Sequence, residues 1–433
     1  MGPEPHLFLV MDCAHPAAPP ARVRLALLDE VLVGRGEVRE LRHAIDGGVR
    51  RLRVEVADDF MSQDHARFGC AGGRWYVEDA GSKNGTLVNG VPVDKRALAD
   101  GDLVELGHNL FLYRAAVAPR DDDRDDDHIE QLLDGAPGLR TVSPDVARVF
   151  DDIARAAPSP GGVLLRGEPG TGAEVVARTI HELSGRTGSY VGVDCSALPA
   201  ELVEVELFGR RDRLGLVRHA DGGTLFLDEV GDLGLAGQAS VLRMLEAREV
   251  TPIGRSHGIA GAAVPIDVRI VAATHRDLPA MIAAGTFRPE LYARLAGATL
   301  ALPPLRERRE DLGLLTGALL RAPAEPALQP KAGRCLVRHA WPGNLRELEH
   351  GLGRAAVHAR GKTIAVEHLP EALRAAPESP VSEAPDRSTM EALMREHHGN
   401  ISAIARRLGK APVQIRRWLK RHDLVADAFR DDD

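Results

Sequence analysis

Apolar and polar residues alternate in short runs over the first quarter of the chain, at 7–10, 23–28, 52–56, 75–78, 87–93, 103–106 and 110–113, with Gly-rich or Asn-Gly turns between them. A period of two in runs this short predicts half-buried strands, and their even spacing over 6–116 predicts an all-β sandwich. From residue 139 the period changes. Val146, Val149, Phe150 and Ile153 recur at helical spacing, an apolar run at 163–165 enters a glycine-rich turn and a helix at 173–180, and apolar runs at 191–193, 225–227 and 269–273 alternate with helical stretches. That alternation predicts a doubly wound parallel sheet. Near the C-terminus only helical spacing remains: Met390, Leu393 and Met394 follow the capping box Ser388-x-x-Glu391, Ile401, Ile404, Ala405 and Leu408 follow Asn400, and Ile415, Trp418 and Leu419 follow a turn at 409–412.

The expected organisation is a sandwich at 1–118, a linker at 119–138, an α/β subdomain at 139–315 with a helical lid at 316–375, a linker at 376–387 and a three-helix domain at 388–433. Both linkers rest on composition. PRDDDRDDD (119–127) repels itself and stays solvated, and AAPESPVSEAPD (375–386) is proline-rich. No apolar stretch approaches the roughly 18 residues that span a bilayer, and the N-terminus lacks a secretory pattern. Cys13, Cys70, Cys195 and Cys335 form no C-x-x-C pair, so the expectation is four buried spectator thiols, no zinc, no membrane and a reduced, cytoplasmic setting. Charge adds one feature. The chain carries −8, but residues 400–422 hold seven Lys/Arg and no acid, which leaves −15 elsewhere and suggests a polyanion partner for the tail alone.

LLRGEPGTGAE (164–174) is a strand, a glycine turn and a helix start, the arrangement that converges N–H groups on phosphate oxygens. GGTLFLDEV (222–230) is an apolar strand ending in Asp228 and Glu229, suited to hold Mg²⁺ and to polarise an attacking water. Against the pattern G-x-x-x-x-G-K-[ST] the lysine position holds Ala173, and no lysine lies between Lys95 and Lys331 to replace it.

Gly34-Arg35, Ser62-x-x-His65, Gly81-Ser-Lys-Asn-Gly-Thr86 and Asn89-Gly90, placed in loops in this order, resemble the forkhead-associated (FHA) domain, a phosphothreonine-reading β-sandwich. The resemblance implies a phosphopeptide site at Arg35, Ser62, Lys83, Asn84 and Asn89, with Lys83 where the family has a hydroxyl residue. A bidentate guanidinium with neutral donors around it suits a phosphate dianion. ELFG (206–209), ADGGTLFLDE (220–229), VRIVAATHRDL (268–278), FRPELYARL (287–295), LPPLRERREDL (302–312) and WPGNLREL (341–348) resemble the AAA+ domain of bacterial enhancer-binding proteins, ATPases that remodel RNA polymerase carrying sigma-54. That resemblance implies ATP with Mg²⁺ at Gly167, Glu168, Pro169, Gly170, Thr171, Gly172, Ala173, Glu174 and Asp228, with the metal on Asp228. It implies Glu229 as water activator, His275 in place of the sensor asparagine, Arg346 as second sensor, and Arg288 and Arg294 offered to a neighbouring subunit. The family's GAFTGA-like loop tip, which touches sigma-54, has no counterpart in the short segment 210–219. GNISAIARRLGK (399–410) resembles the Fis-type helix-turn-helix of the same activators, which implies DNA contacts from Gln414, Arg416, Arg417, Lys420 and Arg421.

The combined expectation is a multidomain transcription regulator: an FHA sandwich, an α/β AAA+ P-loop domain with a helical lid, and an all-α helix-turn-helix. It would couple phosphothreonine recognition to DNA binding through a homo-oligomer or mixed AAA+ ring in which hydrolysis is impaired. Two other readings stay open: a working sigma-54 activator with an unusual P-loop, and a phosphoprotein-binding scaffold within a mixed ring.

Overall fold

A computed structural model describes residues 2–118, 139–199, 201–210, 213–251, 255–256, 259–260, 263–321, 326–374, 387–397 and 399–400, together with positions 404, 407, 419, 424 and 429. The chain divides into two compact units, residues 1–376 and 377–433. No helix among the described residues is long and apolar enough to cross a membrane.

The N-terminal part is a sandwich of two six-stranded sheets, ordered 21–24, 4–12, 109–117, 103–106, 86–88, 91–93 and 95–97, 74–79, 66–71, 30–35, 49–56, 40–46. Two expected strands are cut short by turns. The run at 23–28 leaves the sheet after Arg24 and coils through a 3-10 turn at Leu25–Leu27. The run at 87–93 breaks at Asn89 and Gly90, both with positive φ, into strands Thr86–Val88 and Val91–Val93. Strands Glu30–Arg35, Glu40–Asp46 and Ala66–Ala71 were hidden from the apolar pattern. Glu40–Asp46 is an edge strand with no buried residue, so nothing in it alternates. Gly34 and Arg35, expected in a loop, end the strand Glu30–Arg35.

The next part is a five-stranded, all-parallel sheet ordered 190–194, 224–228, 269–274, 163–166, 298–301. Its last strand, Ala298–Ala301, has one buried position and gave no apolar signal. Helices Leu312–Leu319, Pro330–Arg338 and Asn344–Ala359 form the lid. In the C-terminal unit, helix Arg387–Glu396 buries Met390 and Met394 in a cluster with Ile404 and Leu419.

The sandwich and the lid share one continuous apolar core, which sequence reading had divided between two domains. Two lid glycines make the approach close enough: a Cβ on Gly313 would lie 1.6 Å from the Val10 carbonyl oxygen, and one on Gly333 would lie 2.7 Å from Cys13 Sγ. The Leu328 N–H donates to the Cys13 carbonyl at 2.7 Å. Ion pairs cross the seam from Arg334 to Glu105 at 2.8 Å and from Arg114 to Glu310 at 2.5 Å. Of the cysteines expected to be buried, Cys13 and Cys195 are; Cys70 is exposed near the end of strand Ala66–Ala71 and Cys335 is half-buried at the seam.

Candidate functional site: a phosphate loop without its lysine

Strand Val163–Arg166, buried at its first three positions between its parallel neighbours, delivers the chain to Gly167. The loop then turns through Gly170 and Gly172, both left-handed at φ +80° and +101°, into helix Ala173–Leu183. A side chain at Gly170 would be strained by its φ and would meet the Gly343 carbonyl oxygen at 2.5 Å. Loop and helix start thus form a phosphate cradle. The cavity beside it holds about 270 Å³ and is lined by Gly167–Thr171, Ala173, Asp194, Asp228, Glu229, His275 and Arg346 among others. The expected residues converge there with two exceptions. Glu174 faces outward to Arg178 at 3.3 Å, and Gly172 contributes conformation, not wall.

Charge in this cavity is one-sided. Asp194, Asp228, Glu229 and Asp232 all line it, and Arg346 is the one Lys or Arg side chain doing so among the described residues. Burial, with Glu229 and Asp194 adding repulsion, pushes the Asp228 carboxyl above its usual range. A site so biased suits a divalent cation, held as Mg²⁺ is by one carboxylate plus phosphate oxygens. The two arginines nearest in sequence do not replace the lysine. Arg178 stacks 4.4 Å over the Tyr190 ring, and Arg166 is exposed outside the cavity wall.

Glu168 has a role the sequence did not reveal. Arg306 grips both its carboxylate oxygens at 2.7 and 2.6 Å and Asn344 Nδ2 donates at 3.2 Å, which lowers the Glu168 carboxyl to about 2. The Leu345 N–H also donates to the Gly170 carbonyl at 2.9 Å. The phosphate loop is therefore stapled to the lid by side chain and backbone together.

Glu229 adopts φ 52° and ψ 49°, and its Oε2 lies 2.8 Å from His275 Nδ1 and accepts from the His275 N–H at 3.3 Å. His275, expected in the sensor position, thus grips Glu229, the acid expected to activate water. Arg288 caps the start of helix Pro289–Leu295 and Arg294 lies in its last turn, both exposed and away from this cavity wall, with Arg294 3.9 Å from Glu246. After helix Val203–Phe208, Gly209 pairs with Leu214 and Arg210 with Arg213 in antiparallel register.

In the sandwich, the Arg35 N–H donates to the Ser62 carbonyl at 2.9 Å, Ser62 Oγ accepts from the Lys83 N–H at 3.0 Å, and Asn84 Nδ2 donates to the Phe60 carbonyl at 2.7 Å. The Arg35 guanidinium is half exposed, with Asp59 3.9 Å away. Buried His65 braces this group: Nδ1 accepts from the Ser62 N–H and Nε2 faces the Gly85 carbonyl at 3.2 Å. Asn89 stands apart from the expectation. Its amide donates to Asp102 at 2.6 Å and accepts from the Leu103 N–H at 3.0 Å, so it fixes its own turn. The expected DNA contacts Gln414, Arg416, Arg417, Lys420 and Arg421 lie outside the described residues.

Comparison with known proteins agrees with this geometry. The Sigma-54 interaction domain matches residues 139–301, the AAA+ ATPase lid domain 306–386 and the FHA domain 31–107. The chain is 40% identical over 284 residues to a putative uric acid sigma-54-dependent transcriptional regulator, UacR, of Escherichia coli K12, covering 59% of this chain and 45% of that protein. It is 39% identical over 296 residues to the transcriptional regulatory protein ZraR of the same strain, covering 63% of this chain and 66% of ZraR. The crystal structure of Brucella abortus NtrX in complex with ATP superposes with a TM-score of 0.51 at 31% identity, covering 68% of this chain and 71% of that one. The chain thus spans from under half to about two thirds of the length of these curated relatives. With this domain set and these relatives, the chain belongs to the family of sigma-54-dependent transcriptional regulators, in a form that carries an FHA domain.

Proposed function

We propose that the chain is a phosphothreonine-responsive regulator of transcription whose AAA+ core binds ATP weakly, hydrolyses it slowly, and acts through assembly and DNA occupancy. The observation that carries this reading is Ala173, a methyl group on the wall of a cavity lined by one guanidinium and five carboxylates, of which Glu168 is already paired with Arg306. Cradle and metal-binding acid fit Mg²⁺-ATP; the counter-charge does not. Bound with the triphosphate, Mg²⁺ would neutralise β- and γ-phosphate charge, with Asp228 as its protein ligand. Glu229 would hold the proton of an attacking water once His275 releases it, and Arg346 would orient the γ-phosphate from the lid. The absent ammonium costs about 1.5–3 kcal/mol of binding, or about one to two decades of affinity. In turnover the analogous cations contribute about 10³–10⁵.

The remaining parts support regulation over polymerase remodelling. Arg35, Ser62 and Asn84 form one group suited to phosphothreonine, and the basic tail suits DNA, while the short segment 210–219 holds no GAFTGA-like sequence. The exposure of Arg288 and Arg294 favours a second use, completion of a neighbouring active subunit's site in a mixed ring. Titrating a fluorescent ATP analogue with Mg²⁺ onto the whole chain tests the central point. Ala173→Lys should tighten binding ten- to hundredfold, and an unchanged affinity contradicts the reading.

A further inference from the structure

We infer that the ligand of the Arg35 site is a phosphothreonine segment of a partner protein with a lysine or arginine close to the phosphorylated residue, its cation seated between Glu37, Asp59 and the ring of Phe60. The inference rests on Arg35 being the phosphate site.

A cavity of about 590 Å³ opens beside Arg35, and Glu37, Asp59, Phe60 and His108 form part of its wall. The Phe60 ring is 56% exposed, yet it is held in place. Its edge-to-face partner His108 sits 4.3 Å away, and buried Asp58 fixes both residues, accepting from the Phe60 N–H at 2.9 Å, the His108 N–H at 2.7 Å and His108 Nδ1 at 3.0 Å. An aromatic face presented this way suits a cation, because the ring face is negative and its position needs no further ordering.

Charge gives the stronger argument. The Asp59 carboxylate is 99% exposed, and its one ion pair among the described residues is the 3.9 Å contact to Arg35. Glu37 is exposed with no ion pair among the described residues. A phosphate dianion that takes the guanidinium leaves Asp59 unpaired, so two carboxylates then face a dianion. The other basic groups on this wall, His15 and His108, already face Asp12 at 3.5 Å and Asp58 at 3.0 Å. Neutral flanks leave that repulsion in place, acidic flanks deepen it, and a basic residue in the ligand relieves it. An extended peptide advances about 3.3–3.6 Å per residue, which puts the cation about one to three positions from the phosphothreonine. The chain's own stretch 119–138 is excluded as the occupant: it has no serine or threonine, and its aspartates would meet like charge.

Fluorescence anisotropy on the whole chain tests this with one synthetic phosphothreonine peptide made in three forms, flanked within three residues by alanines, lysines or glutamates. The lysine form should bind about five- to tenfold tighter than the alanine form, and the glutamate form more weakly than either. Glu37→Lys with Asp59→Lys should reverse the order while binding of the alanine form persists, and Arg35→Ala should abolish phosphate-dependent binding of all three. Equal affinities for the three forms, with Arg35→Ala still abolishing them, overturn the cation pocket and leave the phosphate site standing. An unphosphorylated lysine peptide that binds as tightly also overturns it. Absence of any phosphate-dependent binding overturns both.

Discussion

The Ala173 methyl and the Glu310 carboxyl are opposite electrostatic faults, one a missing cation among acids, the other an acid buried where it is costly. Glu310 sits at the sandwich–lid seam, 3% exposed, with Oε1 on Arg114 and Oε2 lacking a hydrogen-bond partner among the described residues. Burial outweighs the guanidinium and pushes its carboxyl to about 7. A folded-state value raised above the ordinary carboxylate range stabilises the fold below about pH 4.5, and this is lost as pH rises through about 7. The full difference is on the order of 3 kcal/mol. Glu310→Gln should therefore gain melting temperature relative to the parent between pH 5 and pH 8, and a gain independent of pH would refute the assignment.

At the scale of elements, the seam between the last sandwich strands and lid helix Pro330–Arg338 behaves as a domain core with one demanding ion pair. Glu105 is 4% exposed at its side chain and forked by Arg334 at 2.8 and 3.0 Å. Arg334→Ala leaves a buried carboxylate unpaired and should cost about 3–5 kcal/mol in chemical denaturation, whereas Glu105→Leu with Arg334→Met should be nearly neutral. Equal losses for both variants would place the energy elsewhere. None of this was legible in the sequence. Alternation found strands whose partners are polar on one face, but not the charged edge strand Glu40–Asp46 or the short strand Ala298–Ala301. The glycine-rich loop and the acid pair Asp228–Glu229 stand out in the sequence because such chemistry fixes spacing along the chain, and Arg346, expected only from the family resemblance, lines the same cavity. Gly313 and Gly333 were not, since their use is a close approach to residues about 300 positions away. The Arg306–Glu168 staple was hidden for the same reason.

For the whole molecule, contacts along the seam run from the sandwich to the phosphate loop. Arg114 on the sandwich pairs with Glu310, and the same short segment carries Arg306, which holds the phosphate loop through Glu168. On the proposed reading, a phosphorylated partner at Arg35 would bind a body already continuous with the lid and the candidate nucleotide site. If that contact governs assembly on DNA, Arg35→Ala should abolish the partner's effect on DNA occupancy in a footprinting titration and leave basal occupancy unchanged. Retention of the effect would separate sandwich from tail. The measurement that reaches the central claim most directly is steady-state phosphate release from ATP by the purified whole chain, beside Ala173→Lys and Glu229→Gln. The account predicts release near background for the parent, a rise of several decades with the lysine, and no further fall with the glutamine. Rapid release by the parent, abolished by Glu229→Gln, would contradict it.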